Sequence, residues 1–363
     1  MIKFRTIPHL LEIFVLPEIE KRLKSGQIRD GELPIELYQF RAIQRKMPDG
    51  KVLPIVELND EVKLISKVKT KRAVSAGEPL GINDIYPDEC FIVPPSYDGK
   101  HAAYFLCQRL MFDYFLYFDC RPNLPNVTEK ELEESMGRYP ILDFINAKSF
   151  KEIVKPEEKI RILAEANWPP APGYCPSAFV ALHQDPNSIT QPEFVKIVSK
   201  AYDRPYWDRR ISFWEETNFF PERIQYIKRA VNAHFDKDYI ASIYILVPQF
   251  EGIIRDYLES RGTTPAEGFQ GYISQFKNLV FSRGVIMFPK NIMEIIFNYL
   301  ETGSFWMRHS CSVQDPKSMI NRHGIAHGVF KGFECEEISL KYLILLDALS
   351  FILLHDKILT RSI

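Results

Sequence analysis

The stretch NRHGIAHG, residues 321–328, places one arginine and two histidines within a short segment. His323 and His327 are four residues apart, so on a helix over about 318–327 they would share one face. Arg322 would flank that face. The small residues between and after the histidines would leave it open to a substrate or to another backbone. The residue types and their spacing therefore indicate a site that could do chemistry.

An arginine beside two imidazoles suits phosphodiester chemistry. Arginine can donate two hydrogen bonds to one phosphate, and histidine can act as base or acid near neutral pH. Together they could cleave RNA without a metal, by activating a 2′-hydroxyl against its own phosphorus. A histidine pair at this spacing could also hold a metal, but no glutamate follows the first histidine as in HExxH sites. We expect neither a metal nor another cofactor.

The motif Arg322-His323-Gly324-Ile325-Ala326-His327, followed by glycine, resembles the RNase signature of the HEPN superfamily. An earlier segment, VPQFEGIIRDYL at 247–258, is similar to the PQxE…R helix of HEPN-type families of prokaryotic defence and abortive-infection proteins. The resemblance covers residues 206–363, which is less than half of the chain.

This resemblance implies a helical bundle that dimerises, so that two signatures meet across a two-fold axis in one composite cleft. His327 would be the general base or acid, Arg322 would contact the phosphate and the transition state, and His323 would assist. Glu251 and Arg255 would orient these groups. The ordinary alternative is that Glu251 and Arg255 form only an intrahelical ion pair.

The predicted function is a metal-independent endoribonuclease that acts as a regulated toxin or antiphage defence effector. The alternative is a catalytically inactive HEPN-fold module that dimerises while the N-terminal region senses a partner or ligand. The expected partners are RNA, with tRNA as one candidate, and a second copy of the chain bound through the C-terminal bundle. A trigger or inhibitor would bind the N-terminal region.

The charge distribution argues against a protein that coats nucleic acid. The net charge is −1, and residues 221–363 carry 16 Lys and Arg against 15 Asp and Glu, a balance of +1. RNA contact must therefore come from a local patch. In KVKTK, Lys67, Lys69 and Lys71 alternate and would share one strand face. That face could contact RNA, or it could be a solvated face that discourages edge pairing. Asn321 could cap a helix or add a polar contact.

The pattern along the chain predicts an α+β fold that is predominantly helical. Short alternating runs separated by turn signals indicate a β-containing unit at 1–100. A helical middle region is predicted for 101–205, including a helix over HAAYFLCQRLMFDYFLYF (101–118) and a Pro-rich linker at 167–176. Residues 206–363 would form the HEPN-like bundle.

Apolar spacing in the last third of the chain predicts successive helices, the longest of them over 236–262 with a kink at Pro248. The final helix, at about 336–356, is apolar nearly all round and must be buried. Its most apolar run, 342–354, contains Asp347 and is too short to span a bilayer. With scattered cysteines, no CxxC pair and no secretory signal, the chain is predicted to be cytoplasmic.

Overall fold

The computed structural model describes residues 10–46, 51–62, 65–86, 91–93, 101–110, 113–119, 155–171, 191–266, 268–282, 284–286, 288–302, 322–328 and 331–360. The fold is α+β and predominantly helical, as predicted. No helix within these ranges has the length and hydropathy needed to cross a membrane.

The chain forms two compact units. The first, called here the N-terminal unit, consists of Met1–Ile153, Gly284–Phe288 and Ile358–Ile363. The second, called the helical unit, consists of Val154–Arg283 and Pro289–Lys357.

The N-terminal unit contains a four-stranded antiparallel sheet in the order β3-β2-β6-β7 and two smaller strand pairs. A π-helical turn, Leu11–Val15, runs directly into helix α1, Leu16–Lys24. The strands are β1 Ile35–Glu36, β2 Gln39–Lys46, β3 Val52–Leu58, β4 Ile65–Lys67, β5 Phe91–Val93, β6 His101–Leu110, β7 Asp113–Asp119 and β8 Val285–Ile286. Strand β8 lies far along the chain and pairs in parallel with β1.

One face of the sheet packs against the N-terminal helix. Phe40 on β2 lies opposite Leu58 on β3 and Cys107 on β6, and all three are buried. Phe14 of the π-helical turn contacts this face, with its ring centroid 5.3 Å from that of Phe105. Side chains two positions apart on a strand share a face, so the alternation seen in the sequence supplies this core.

The helix predicted over 101–118 is wrong, because this stretch forms strands β6 and β7. Its largely apolar sequence fits a buried helix or a buried strand equally well, and periodicity alone does not distinguish the two. Pairing with β2 decides the outcome: residues 39–45 of β2 align with 101–108 of β6. That partner lies about sixty residues away in sequence, so no local pattern reveals it.

The helical unit contains nine helices in the described ranges. They are α2 Pro156–Glu165, α3 Gln191–Ala201, α4 Arg204–Glu216, α5 Ile224–Phe235, α6 Tyr239–Ser260, α7 Phe269–Phe281, α8 Lys290–Thr302, α9 Arg322–Ala326 and α10 Glu336–Thr360. The longer helices predicted from apolar spacing are therefore confirmed. Helix α6 retains Pro248 in its interior.

Helix α10 is buried from Ile338 to Ser350, as its all-round apolar character predicted. Two of its buried polar residues, Asp347 and Ser350, are hydrogen-bonded to a neighbouring helix. Asp347 accepts hydrogen bonds from Tyr206 (2.6 Å) and Arg210 (2.9 Å) of α4, and Arg210 also donates to Ser350. Buried polar groups are stable only when they are satisfied in this way.

A second buried polar contact joins α10 to α5 and α6. Ser339 Oγ lies 2.8 Å from Nδ1 of His234 and donates to Ser242 Oγ at 2.9 Å. Burial lowers the pKa of His234 to about 4, while the Glu336 carboxylate acts in the opposite direction. His234 is therefore a neutral core histidine near neutral pH.

The described part of the Pro-rich segment does not form an exposed linker. Residues 168–171 are buried, and Trp168 packs its ring 4.7 Å from Nζ of Lys341 on α10. The segment follows α2 directly and contributes to the core of the helical unit. Residues 172–176 of the predicted linker lie outside the described ranges.

Candidate active site around Arg322

Helix α6 provides the base of the candidate site. Asp238 caps its first turn by accepting a hydrogen bond from the backbone N–H of Ala241 at 3.0 Å. Leu246, Phe250 and Ile253 are among the apolar residues that fix its buried face. Glu251 lies at the border of that face, with 29% of its side chain exposed.

Helix α9 brings Arg322 to α6. It is a single short turn of helix anchored by Ile325, which is 1% exposed. Gly328 adopts a left-handed conformation, φ +66°, and donates its N–H to the carbonyl of Ile325 at 3.0 Å. Glycine tolerates this conformation without steric cost, so the glycine after the second histidine ends the helix.

The predicted helix over 318–327 is longer than the helix observed, because His327 lies in the turn that follows α9. The sharing of one helical face by His323 and His327 stays a prediction, since His327 directly follows the last helical residue, Ala326. His327 is exposed to solvent beside the end of α9. Asn321 and the side chain of His323 lie outside the described parts of the chain.

The central contact of the site is an ion pair between Arg322 and Glu251. Nη2 of Arg322 donates to Oε2 of Glu251, and 20% and 29% of the two side chains remain exposed. Arg255 is exposed one helical turn beyond Glu251. The intrahelical pair considered as the ordinary alternative is thus replaced by a contact between α6 and α9.

Two buried phenols lie on the inner side of this contact. Burial, and then the neighbouring Tyr299, raise the pKa of Tyr342 on α10, whereas the positive charge of Arg322 acts to lower it. Burial likewise raises the pKa of Tyr299 on α8 well above its ordinary range. Both phenols therefore stay protonated near neutral pH and are unsuited to act as bases. Sequence reasoning missed them because aromatic residues in an apolar helix give no distinguishing signal.

The segment that carries Arg322 is held to α6 at a second point. The ring of Phe333 packs against Tyr244, with centroids 5.7 Å apart and planes at 73°. Tyr244 and Glu251 are seven residues apart on one helix, which places them on nearly the same face and about 10.5 Å apart along the axis. The two contacts therefore align the segment with α6, and the exposed His327 lies between them in sequence.

A different arginine fixes α6 on another face. Arg223 donates to Asp256 at 2.7 Å and to Gln249 at 3.1 Å. Its guanidinium lies against Gly252, where a Cβ atom would approach Cζ to 2.5 Å. Residues 249, 252 and 256 share a helical face, so their spacing is the signal that could have revealed this contact. It holds the helix beside Glu251 in place.

The lysines predicted as an RNA contact belong to the N-terminal unit. Strand β4 ends at Lys67, and Lys69 and Lys71 follow it. The ammonium groups of Lys69 and Lys71 lie 5.5 Å and 5.6 Å from the ring centre of Tyr86, so these two share a side. The side chain of Lys67 lies outside the parts of the chain that the structure describes.

Comparison with known proteins adds no further assignment. No protein-family model, no curated protein and no solved structure matches the chain.

Proposed function

We propose that the protein is a metal-independent endoribonuclease whose helical unit is a HEPN-like bundle. The observation that carries this proposal is the ion pair between Arg322 and Glu251. It orients the arginine of the Arg-x4-His motif next to the helix whose sequence resembles the PQxE…R segment. Two stretches that each resemble a HEPN segment in sequence thus contact each other through this ion pair.

The chemistry follows from the side chains at this place. Arg322 presents a planar, permanently charged guanidinium that can bind two phosphate oxygens and the charge that develops on them. His327, exposed five residues further along the chain, takes the proton of a ribose 2′-hydroxyl as the 2′-oxygen attacks phosphorus. The P–O5′ bond breaks, the 5′-oxygen takes up a proton, and the products end in a 2′,3′-cyclic phosphate and a 5′-hydroxyl.

One histidine cannot act as base and acid in the same displacement, so a second proton donor completes the reaction. His323 or the His327 of a second copy would supply it. We therefore propose a homodimer that joins two such sites through the helical unit. RNA is the substrate, with tRNA as one candidate, and the N-terminal unit binds the trigger or inhibitor of a toxin or antiphage effector.

The test is cleavage of a tRNA pool and of a structured single-stranded RNA by the purified protein in EDTA. Wild type is compared with Arg322→Ala, His327→Ala and the control Arg229→Ala, which alters an exposed arginine of α5. We expect cleavage by wild type and the control alone, leaving 2′,3′-cyclic phosphate ends. Equal cleavage by all four proteins would refute the assignment of the site. No cleavage by any of them would favour a non-catalytic dimerisation module.

A further inference from the structure

The solvent-facing side of α6 carries a run of apolar residues that leads to the ion pair. Ile240, Tyr244 and Pro248 are exposed at four-residue intervals, and the same face continues to Glu251 and Arg255. Ile240 is 50% and Tyr244 46% exposed. Exposing large apolar side chains to water forgoes the stabilisation that their burial would give. A row of them that leads to a charged site therefore indicates a binding surface.

The ring of Tyr244 is held in position and does not simply extend into solvent. Phe333 packs against it at 5.7 Å and is itself 6% exposed. Phe333 belongs to the segment that begins with Arg322. Tyr244 is thus fixed by the same segment that carries the arginine of the candidate site, at the other end of one stretch of α6.

The charges along this face identify the kind of partner. At the C-terminal end lie Arg255 and Arg322 together with Glu251 and, one turn beyond Arg255, the exposed Glu259, and the exposed His327 is nearby in sequence. At the N-terminal end, Asp236 and Asp238 are exposed and outnumber the one lysine between them. A phosphate group can therefore find guanidinium donors at the arginine end, whereas carboxylates predominate at the other end.

An anionic strand with flat, apolar side groups fits this distribution. Its phosphate would lie at Arg322, and its base would lie at Tyr244, about 10.5 Å further along the helix axis, where phosphate is disfavoured. Stacking of bases on aromatic side chains is a common way to hold single-stranded nucleic acid. A duplex keeps its bases stacked inside and cannot make this contact.

We infer that Tyr244 is a base-stacking residue, which binds an unpaired nucleobase of single-stranded RNA while a phosphate of the same strand lies on Arg322. This inference rests on the proposed function and deepens it by naming the substrate class and a residue that selects it. Tyr244 contributes to RNA binding and does not contact the reacting atoms.

The experiment measures binding and cleavage separately. Binding of a single-stranded oligoribonucleotide containing 2-aminopurine, and of a matched duplex, is followed with full-length His327→Ala protein, into which Tyr244→Phe, Tyr244→Leu or Tyr226→Leu is introduced. Tyr226 is the control because it is a 51% exposed tyrosine on α5. The same Tyr244 and Tyr226 changes in the wild-type background give kcat and KM. Thermal unfolding and light scattering report folding and oligomeric state.

We expect Tyr244→Leu to weaken single-strand binding roughly tenfold or more and to abolish quenching of 2-aminopurine. KM should rise by a similar factor while kcat changes little. Tyr244→Phe keeps the stacking ring and should bind like the parent protein, as should Tyr226→Leu. If Tyr244→Leu is poorly folded, Tyr244→Gln replaces it, since glutamine suits an exposed helical position and has no ring, and it should weaken single-strand binding in the same way.

The outcomes separate this inference from the proposed function. Cleavage by wild type with unchanged binding by Tyr244→Leu overturns the stacking role and leaves the nuclease intact. Binding without cleavage overturns the nuclease, and the affinities of the Tyr244 variants still decide the stacking role. A change of oligomeric state in Tyr244→Leu, without a change in RNA affinity, assigns the face to a second copy and overturns the inference. Absence of both binding and cleavage refutes both.

Discussion

Glu251 on α6 and Arg322 on α9 form an ion pair across 71 residues of sequence, and both side chains are largely buried. Glu251 fixes one end of the arginine fork and leaves part of it exposed to solvent. A guanidinium that is already oriented loses less freedom when it binds a phosphate.

Replacing Glu251 by Gln should affect catalysis more than stability. Glutamine keeps the size of the side chain and removes the charge that orients Arg322. The free energy of unfolding should fall by about 1 kcal/mol or less, whereas kcat should fall tenfold or more, since small displacements of a catalytic group cost about that much. Urea unfolding and steady-state kinetics measure the two effects.

A double-mutant cycle with Arg322→Lys tests whether the two residues act together. Lysine keeps the charge and loses the planar fork. If the two residues act together, each single variant should already show most of the loss in kcat that the double variant shows. Additive losses in kcat, or a loss of stability with unchanged kcat, would show that the pair is only structural.

Replacing Gly252 by Ala should destabilise the helical unit. The new Cβ would lie 2.5 Å from Cζ of Arg223 and displace its guanidinium from Asp256 and Gln249. Loss of these partly exposed contacts is offset in part by the higher helix propensity of alanine, so the free energy of unfolding should fall by about 1 kcal/mol, measurable by urea unfolding. Arg223→Ala combined with Gly252→Ala should cost less than the sum of the single changes. Gly31→Ala is the control, since no atom outside its neighbours lies within 4 Å of the added Cβ.

Stability should depend on pH through His234. Its pKa is lowered to about 4 from an ordinary value of 6.5, mainly by burial. Between pH 4 and 6.5, His234 is therefore protonated in the unfolded chain and neutral in the folded chain. Its contribution to the free energy of unfolding is full above pH 6.5 and falls as the pH drops toward 4. The full loss is on the order of 3 kcal/mol.

His234→Asn keeps a hydrogen-bonding group near Ser339 and removes this titration. The difference in unfolding free energy between wild type and the variant should narrow as the pH falls from 7 to 4.5, in urea titrations at each pH. A difference that stays constant would exclude His234 as the source of the pH dependence.

Replacing Asp347 by Asn should be among the most destabilising single changes in the helical unit. It leaves the charge of Arg210 without its carboxylate in a buried setting, and breaking such a pair costs about 3–5 kcal/mol. Arg210→Met in the same protein should restore part of the loss, because it removes the stranded charge. Thermal unfolding of the single and double variants checks this, and equal melting temperatures for both would contradict it.

Local sequence patterns were sufficient for the longer elements. Apolar residues at three- and four-residue spacing located α6, α7 and α8, because a helix that packs on one side must repeat its buried positions with its own period. The alternation in β2 and β3 was readable for the same reason. The all-round apolar character of α10 also predicted its burial. The hydrogen bonds of Asp347 and Ser350 to Arg210 satisfy polar groups within that buried helix.

Non-local contacts decided what these patterns could not. Residues 101–110 form strand β6 by pairing with β2, and residues 113–119 form strand β7 by pairing with β6. The described part of the Pro-rich segment is buried because Trp168 packs against Lys341 of α10. In both cases the sequence fits two conformations, and the partner that selects one of them lies far away in the chain.

The same division holds at the candidate site. The sequence by itself determined which residues could do chemistry, because arginine and histidine carry their reactivity in their side chains and glycine at 328 ends the helix that presents them. Only the tertiary structure decided that Glu251 pairs with Arg322, that His327 lies beyond the helix and that Tyr244 is held beside Phe333. Those relationships depend on how α6, α9 and the segment after α9 pack together. Residues distant in sequence form the surfaces that pack, so no local pattern predicts the contacts between them.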